Sequence, residues 1–556
     1  MIMWIILSKG AAPKPPRHYL NVNPPRENNF YHFDKDLPQE IPNRINHEIQ
    51  EWKNQKPNQD RLQNMVLLKA QEDAAKRKSS DDLIEPLDQK KPKNIEAEED
   101  DKQTEAKLVV DSSIKDKDFK QALLHSRDSQ NNVILGIVDK NYVDFALNFY
   151  EVSLRKNDIT NFLFICLDES VIGQLHTANI DCFYYGFSQS GNDENSRTFG
   201  SSAYFIKTNV KTRVMLHALS LGFNILLVDL DVVLFKNPMP YFRNTSYDLQ
   251  ISMDRTQWNT GFMYARPTNA TKLLFETAWN YFLKYHRAHD QAYVAMKLRP
   301  MLKNKTINIL ELSNKLFPNG YYYFQYDRRT FRNEPVCHEC VMTHNNYVGT
   351  ADAKIYRFKE NLMWSLDQDG YYSDEKAQYM MYSSEGDESQ KTWLEEVQAL
   401  HNALVMAKMS DRILVLPTFR CCDCKSNTCA NPNHKCSLMH TLKLNTFNAK
   451  FGEKYREHVF FEHSKVPENL KTSVKNSPLL SILTSPPKNS SVTANNDFTF
   501  TCERSKCNMT VLGEWLRHFD DFPVIRFNSL YGNIAGDVSK QSAFKCGEYE
   551  QWEVKN

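Results

Sequence analysis

A chain of 556 residues, 41% hydrophobic and 12% aromatic, has enough apolar side chain for packed cores in more than one domain. Its 69 Lys and Arg against 68 Asp and Glu leave a net charge of +1, so the molecule as a whole lacks the positive field that binding nucleic acid through its phosphates demands. The polar residues are unevenly laid out and crowd into the first 130 positions.

The chain opens on a short apolar run, residues 1–7 (MIMWIIL). A membrane span needs about 20 such residues, and a signal-peptide core about 7 to 15 behind a basic flank. The run is therefore read either as the tail of an upstream anchor or as the start of a protein that stays in the cytoplasm. Beyond it, Pro, Asn, Lys, Asp, Glu and Gln dominate, leaving too little apolar content to bury, and residues 1–130 are expected to be a disordered stalk.

Order is expected from Asn132. Residues 133–138 (VILGIV), 162–167 (FLFICL) and 180–185 (IDCFYY) read as strands, with an amphipathic helix over 142–154 between the first two. A further helix over 209–221 places Val210, Val214, Ala218 and Leu221 on one face and stops at Gly222. Residues 225–228 (ILLV) then form a fully apolar strand that runs straight into Asp229. Strands alternating with helices predict an α/β fold, Rossmann-like, with a mostly parallel sheet covered by helices on both faces. Ligands of such sheets sit at the carboxyl ends of the strands.

Asp229-Leu230-Asp231 falls at that place. Residues two apart on a strand project to the same face, so both carboxylates are expected to meet one hard divalent cation. That cation also accepts phosphate oxygens, which suits a charged diphosphate leaving group. As an exposed carboxylate at a strand end, Asp231 is expected to contribute little to stability.

These residues sit in a longer pattern. Residues 211–242 (KTRVMLHALSLGFNILLVDLDVVLFKNPMPYF) are followed by 258–264 (WNTGFMY), by His289-Asp290-Gln291, and by His344-Asn345-Asn346-Tyr347-Val348-Gly349 leading to Lys354. Over residues 131–365 the pattern resembles the nucleotide-diphospho-sugar transferase family of GT-A fold, which includes plant arabinosyl- and xylosyltransferases.

The resemblance implies a role for each matching position. Asp231 is expected to ligate the metal, Asp229 to contact metal or donor ribose, and His344 to complete the protein ligands of Mn2+ or another divalent cation such as Mg2+. Lys211 and Lys354 are expected at the diphosphate, and Asn259, Thr260 and Gly261 at the wall of the donor sugar. Asp290 and Gln291 are expected as catalytic residues beside that sugar. The implied reaction moves a sugar from a nucleotide-diphosphate donor, a UDP-sugar, to a glycan or glycoprotein with retained configuration. Two other readings stay open. One is a haloacid-dehalogenase-like phosphatase, with Asp229 as nucleophile and Asp231 as acid, a fold that carries its motif on the first strand. The other is a sugar-binding relative without turnover.

Residues 366–391 read as a polar linker. Residues 392–556 are expected to be a cysteine-rich α/β accessory domain, with a second catalytic unit as the alternative. In it Trp393, Val397, Leu400 and Leu404 share a helical face, residues 412–416 form a strand ended by Pro417, and residues 464–497 are loose. The twelve cysteines include a run of Cys421, Cys422, Cys424, Cys429 and Cys436 around His434. In an oxidising lumen this reads as disulfides and in the cytosol as a zinc site. The disulfide reading goes with a Golgi or ER protein, anchored as type II or luminal. Sequons at Asn244, Asn269, Asn304, Asn489 and Asn508 permit glycosylation there.

Overall fold

The computed structural model describes residues 108–110, 116–189, 202–243, 246–326, 337–348, 350–383, 392–420, 422–423, 428–429, 435–436, 438, 444–451, 454–484, 498–502 and 507–536. The apolar start, most of the expected stalk and the side chains of the 421–436 cysteine run lie outside them.

The first sheet and its surroundings use nine strands: β1 Asn132–Val138, β2 Phe162–Cys166, β3 Cys182–Tyr184, β4 Asn224–Val228, β5 Val232–Leu234, β6 Leu249–Met253, β7 Trp258–Ala265, β8 Ile309–Glu311 and β9 Met342–His344. Seven of them form one sheet in the order β8-β6-β7-β4-β1-β2-β3. Only β7 runs antiparallel to its neighbours, so the sheet is mostly parallel as expected. The helices are α1 Asp116–Ser126, α2 Val143–Phe149, α3 Glu169–Thr177, α4 Ser202–Ser220, α5 Asn269–Tyr285, α6 Asp290–Lys303 and α7 Ala351–Glu360.

The alternation of side chains along each strand sorts these helices to two faces. Ile134 and Val138 of β1, with Leu226 and Val228 of β4, pack beside Phe145 of α2 and Val171 and Leu175 of α3. Val133, Leu135, Ile225 and Leu227 point the other way, to Val210 and Val214 of α4, Phe275 of α5 and Val294 of α6. Being buried on both faces is why β1, β2 and β4 read as unbroken apolar runs. Gly222 ends α4 at φ 92°, the left-handed conformation that a C-terminal stop requires.

The stalk expectation needs correction at its end. Residues 116–126 form α1, whose Phe119 and Leu123 are fully buried. Phe119 stacks among Phe183, Tyr185 and His217 with ring centroids 5.0, 5.7 and 4.6 Å away. Two apolar residues four apart in a charged helix suffice here because the sheet supplies an aromatic socket for them.

A second sheet follows, built from β10 Tyr379–Tyr382, β11 Ile413–Val415, β12 Tyr455–Arg456, β13 Leu479–Leu483, β14 Thr499–Thr501 and β15 Val524–Phe527. Its order is β12-β11-β10-β15-β13-β14 and every pair is parallel. It is covered by α8 Trp393–Met409, α9 Leu444–Phe451, α10 Glu468–Asn476 and α11 Met509–Arg517. The segment expected as a linker supplies the inner strand β10, and its Tyr372 and Tyr379 are fully buried. The stretch expected to be loose supplies α10 and β13 within residues 464–484, where the apolar side chains of Val466, Leu470 and Leu480 are buried.

The two sheets share one apolar core. Phe145, Phe358, Trp364, Tyr372, Tyr379 and Phe460 belong to a single buried cluster. Asn148 clamps the connecting chain, its Nδ2 donating to Met363 O at 2.9 Å and its Oδ1 accepting from Ser365 N at 2.8 Å. Of the cysteines, Cys166 pairs with Cys182, Cys337 with Cys340 and Cys502 with Cys507. Among the described residues no helix is long and apolar enough to cross a membrane.

A polar seam lines this junction. Burial lowers His458 from its ordinary value of 6.5 to about 4. With the folded value below the unfolded one, the stability carried by the neutral ring is whole above about pH 6.5 and is lost as pH falls toward 4, a swing of roughly 3 kcal/mol. Burial raises the carboxyl of Glu457, which accepts from Tyr371 Oη at 2.7 Å, and this works in the opposite direction. His458→Gln isolates the histidine. Urea unfolding of the variant should lose about 2 kcal/mol less than the parent between pH 7 and pH 4.5, and equal losses would contradict the account.

Candidate active site

The site begins where β4 ends. Asp229 N donates to Gly261 O of β7 at 2.7 Å, and Val232 N donates back to Asp229 O at 3.0 Å. Asp229-Leu230-Asp231 is thus a tight turn between β4 and β5, and not a stretch of strand. The expected reason for convergence, a shared strand face, gives way to another. The turn sends Leu230 into the apolar core and brings both carboxylates to one cleft at the carboxyl edge of the sheet.

Strand register delivers the third group. β5 pairs antiparallel with β9, so that His344 stands opposite Val232, the residue after Asp231. Asn345 N then donates to Asp231 O at 2.8 Å, which fixes the turn against the end of β9.

Each carboxylate divides its two oxygens between different partners. Lys211 Nζ from α4 donates to Asp229 Oδ1 at 2.5 Å, and Lys354 Nζ from α7 donates to Asp231 Oδ2 at 2.6 Å. The remaining oxygens, Asp229 Oδ2 and Asp231 Oδ1, lie 4.0 and 3.3 Å from His344 Nε2. Asp229, Asp231 and His344 therefore offer ligand atoms all within 4.8 Å of one another. Gly261 leaves this space clear, since a Cβ there would stand 2.5 Å from His344 Cε1 and 2.7 Å from Asp229 Oδ2. Two carboxylates and an imidazole around one gap fit a divalent cation such as Mn2+ or Mg2+.

Charge in the site is concentrated and screened from water. Burial alone would raise the Asp231 carboxyl, but Lys354 and His344 outweigh it and hold the group well below the usual carboxylate range. Burial would likewise lower Lys211 and Lys354, and the facing aspartates, Asp229 and Asp231 respectively, reverse that and raise both. Asp231 is 5% exposed, so the expectation of an exposed carboxylate is overturned, and with it the reason given for expecting little bearing on stability.

The cleft is open on one side, has about 130 Å³ of internal space and carries a third pair, Lys207 with Asp139 at 3.1 Å. Lys207 and Tyr204 come from the first turns of α4, which begins at Ser202, ahead of the expected start at residue 209. Asp139 follows β1 as Asp229 follows β4, and the same carboxyl-end rule points to it.

The other expected residues are Asn259, Thr260, Asp290 and Gln291. Asn259 and Thr260 are buried in β7, and Asn259 Oδ1 accepts from Gly261 N at 2.8 Å. Asp290 opens α6 at 3% exposure and, after Asp229, adds to the field that raises Lys211. Gln291 is turned to Asp254, donating through Nε2 to Oδ2 at 3.2 Å. Asp254, like Asp139 and Lys207, is a residue the sequence did not single out. Its Oδ1 accepts from Asn259 Nδ2 at 3.1 Å and from Asn346 Nδ2 at 2.9 Å, so one carboxylate ties three amides from separate elements.

With three strands of the main sheet preceding the one that runs into the Asp-x-Asp turn, a fold that carries the motif on its first strand is not the one present. Residues 157–358 match the nucleotide-diphospho-sugar transferase family. That match spans every site residue from Lys211 to Lys354. A beta-arabinofuranosyltransferase of Arabidopsis thaliana is 25% identical over 262 residues, which are 43% of this chain and 49% of that protein. A UDP-D-xylose:L-fucose alpha-1,3-D-xylosyltransferase of the same plant is 28% identical over 200 residues, 31% of this chain and 52% of its own length. The chain thus spans about half the length of these two relatives. An arabinosyltransferase of the same plant is 23% identical over 483 residues, a match longer than residues 157–358 that covers 75% of this chain and 72% of that protein.

Proposed function

We propose that the transferase domain moves a sugar from a nucleotide-diphosphate donor, a UDP-sugar, to a hydroxyl of a glycan or glycoprotein, with a divalent metal and with retained configuration. The carrying observation is the pairing of the Asp229, Asp231 and His344 gap with two buried lysines at the carboxyl edge of a parallel sheet. A diphosphate is the ligand that asks for both features. A divalent cation bound by Asp229, Asp231 and His344 supplies charge neutralisation for the leaving diphosphate. Lys211 and Lys354 are the cations already in place to bind its oxygens, and the low exposure of the pocket strengthens each contact.

In the retaining course, the bond from C1 of the sugar to the diphosphate oxygen breaks while the acceptor oxygen bonds to C1 on the same face. The acceptor's proton passes to the departing diphosphate oxygen, so no separate protein base is needed. Buried Asp290, one oxygen of which has no partner among the described residues, contributes negative charge beside Lys211. A sugar-binding protein without turnover would present the same gap, and turnover is the measurement that separates the two.

The three disulfides among the described residues fit an oxidising compartment, so the acceptor is sought among secretory glycans and glycoproteins. The test incubates the purified protein with a panel of UDP-sugars. UDP release is expected with added Mn2+, with a fall of at least about 100-fold under chelator and recovery on metal return. Release that ignores the chelator, or phosphate liberated from simple esters instead, would overturn the proposal. NMR of the first-formed product reads the stereochemistry, and an anomeric configuration opposite to the donor's refutes retention.

A further inference from the structure

We infer that Arg357 is a positioning residue that locks Asn345, and through it the metal-site residues Asp231 and His344, to the helix that carries Lys354. The inference rests on the transfer reading above and adds to it a residue from behind the cleft, whose lining includes Asp231 and Lys354 but not Arg357.

Arg357 lies in α7 one turn after Lys354 and is only 1% exposed. A buried cation is costly unless hydrogen bonds replace its water, and two of its bonds go to the loop that follows β9. Nε donates to Asn345 Oδ1 at 2.6 Å and Nη2 to Asn346 O at 2.5 Å, while the guanidinium carbon lies 4.3 Å from the centre of the Phe324 ring.

Asn345 is what these bonds fix. It follows His344, just past the last pair that β9 makes with β5, and it is fully buried. Its main-chain N donates to Asp231 O at 2.8 Å and its Nδ2 to Lys354 O at 2.9 Å. A guanidinium only donates, so Arg357 holds this amide with its oxygen toward Nε and its NH2 toward Lys354 O. One amide thereby joins the Asp231 turn, the end of the His344 strand and the Lys354 helix. Arg357 also holds the carbonyl that precedes Tyr347, whose φ of 59° is a left-handed conformation costing about 1 to 3 kcal/mol in a residue other than glycine. With both bonds gone that strain is free to relax, and the 3.3 Å spacing of His344 Nε2 and Asp231 Oδ1 is no longer set. The helix itself is a fixed base, because Ala353 and Tyr356 pack in the core of the second sheet, with the Tyr356 and Tyr455 rings 6.1 Å apart.

The experiment uses the full chain. Arg357→Lys keeps the cation but loses the planar fork that reaches two acceptors at once. In the metal-free protein, hydrogen exchange of residues 344–347 should quicken about tenfold or more. The Mn2+ concentration that gives half of the rise in Tm should climb about 10- to 100-fold, the usual cost of losing a group that orients a metal ligand. Asn345→Ala removes the amide on which Arg357 acts and should give the same two changes, so the test survives if one variant does not fold. The double variant should shift the Mn2+ midpoint less than about threefold beyond the larger single effect, since the two act as one unit. Arg412→Lys is the control for burial alone. Arg412 is equally buried, with Nη1 donating to Phe522 O at 2.8 Å and Nη2 to Phe519 O at 2.7 Å, and it belongs to the second sheet's surroundings. That variant should lose stability yet keep the Mn2+ midpoint within about twofold of the parent. Unchanged exchange or an unchanged Mn2+ midpoint in Arg357→Lys, or an equal shift in Arg412→Lys, would overturn the inference. UDP release by the parent is read alongside. Its absence sinks the transfer reading, and the Mn2+ midpoints still decide this one. If no divalent metal raises the Tm of the parent, the metal reading falls and the exchange result alone decides.

Discussion

Asp231→Asn is expected to lower turnover about a thousandfold or more while the protein stays folded, and Asp231→Ala to lose both turnover and stability. The separation follows from how the carboxylate is shared. Oδ2 holds the buried Lys354 and Oδ1 faces His344 Nε2 at 3.3 Å. Asparagine still offers an oxygen to Lys354 but no ionic ligand to a cation. Alanine leaves a lysine with nothing to offset its burial, and removing one partner of a buried pair costs about 3 to 5 kcal/mol. Since 19% of the Lys354 side chain remains exposed, the lower end of that range is the expected figure. Urea midpoints of the two variants alongside UDP release with saturating Mn2+ make the measurement. Activity of Asp231→Asn within tenfold of the parent would remove this residue from the metal site.

What the sequence disclosed follows how each element is buried. β1, β2 and β4 are enclosed on both faces and show as continuous apolar runs, and Gly222 marks the end of α4 by a left-handed conformation that glycine adopts without strain. The start of α4 was hidden because its first turns face the cleft. Tyr204, Lys207 and Thr208 line the pocket, so no apolar stripe announces the helix there. β8 and β9 have three residues each, too few for a period to show. His344 was reached through the resemblance alone, since its place depends on the register of β9 against β5. Asp254 could not be read locally, because its partners Gln291 and Asn346 lie 37 and 92 positions along the chain.

The second sheet raises the question of a second site. In parallel sheets a crevice opens where the strand order reverses, here between β10 and β15. The loop that follows β15 is pinned to α8 at that place. Asn402 Nδ2 donates to Leu530 O at 2.8 Å and to Gly532 O at 2.7 Å, while its Oδ1 accepts from Ala535 N at 3.0 Å. Gln398 Nε2 adds a bond to Gly536 O at 2.8 Å. That loop is thus held against α8, and the continuous core from Phe145 to Phe460 ties this sheet to the first.

Gly261→Ala tests the gap itself with a single added carbon. The Cβ would lie 2.5 Å from His344 Cε1, 2.7 Å from Asp229 Oδ2 and 2.9 Å from Asn259 Oδ1, well inside contact distance for all three. None can retreat freely, because His344 is held in β9, Asp229 by Lys211, and Asn259 by Asp254. The ligand atoms must therefore spread, and metal affinity should fall together with turnover, by about 100-fold or more. Overpacking of this kind costs about 1 to 3 kcal/mol, so unfolding alone would not explain such a loss. Gly513→Ala in α11 is the control, since its added carbon meets only the flexible end of Met409 at 3.1 Å. Thermal unfolding with and without Mn2+ gives a readout that needs no substrate. The control should keep the rise in Tm that Mn2+ produces in the parent, and Gly261→Ala should lose it. A full Mn2+ response with normal turnover in Gly261→Ala would show that the cation sits elsewhere.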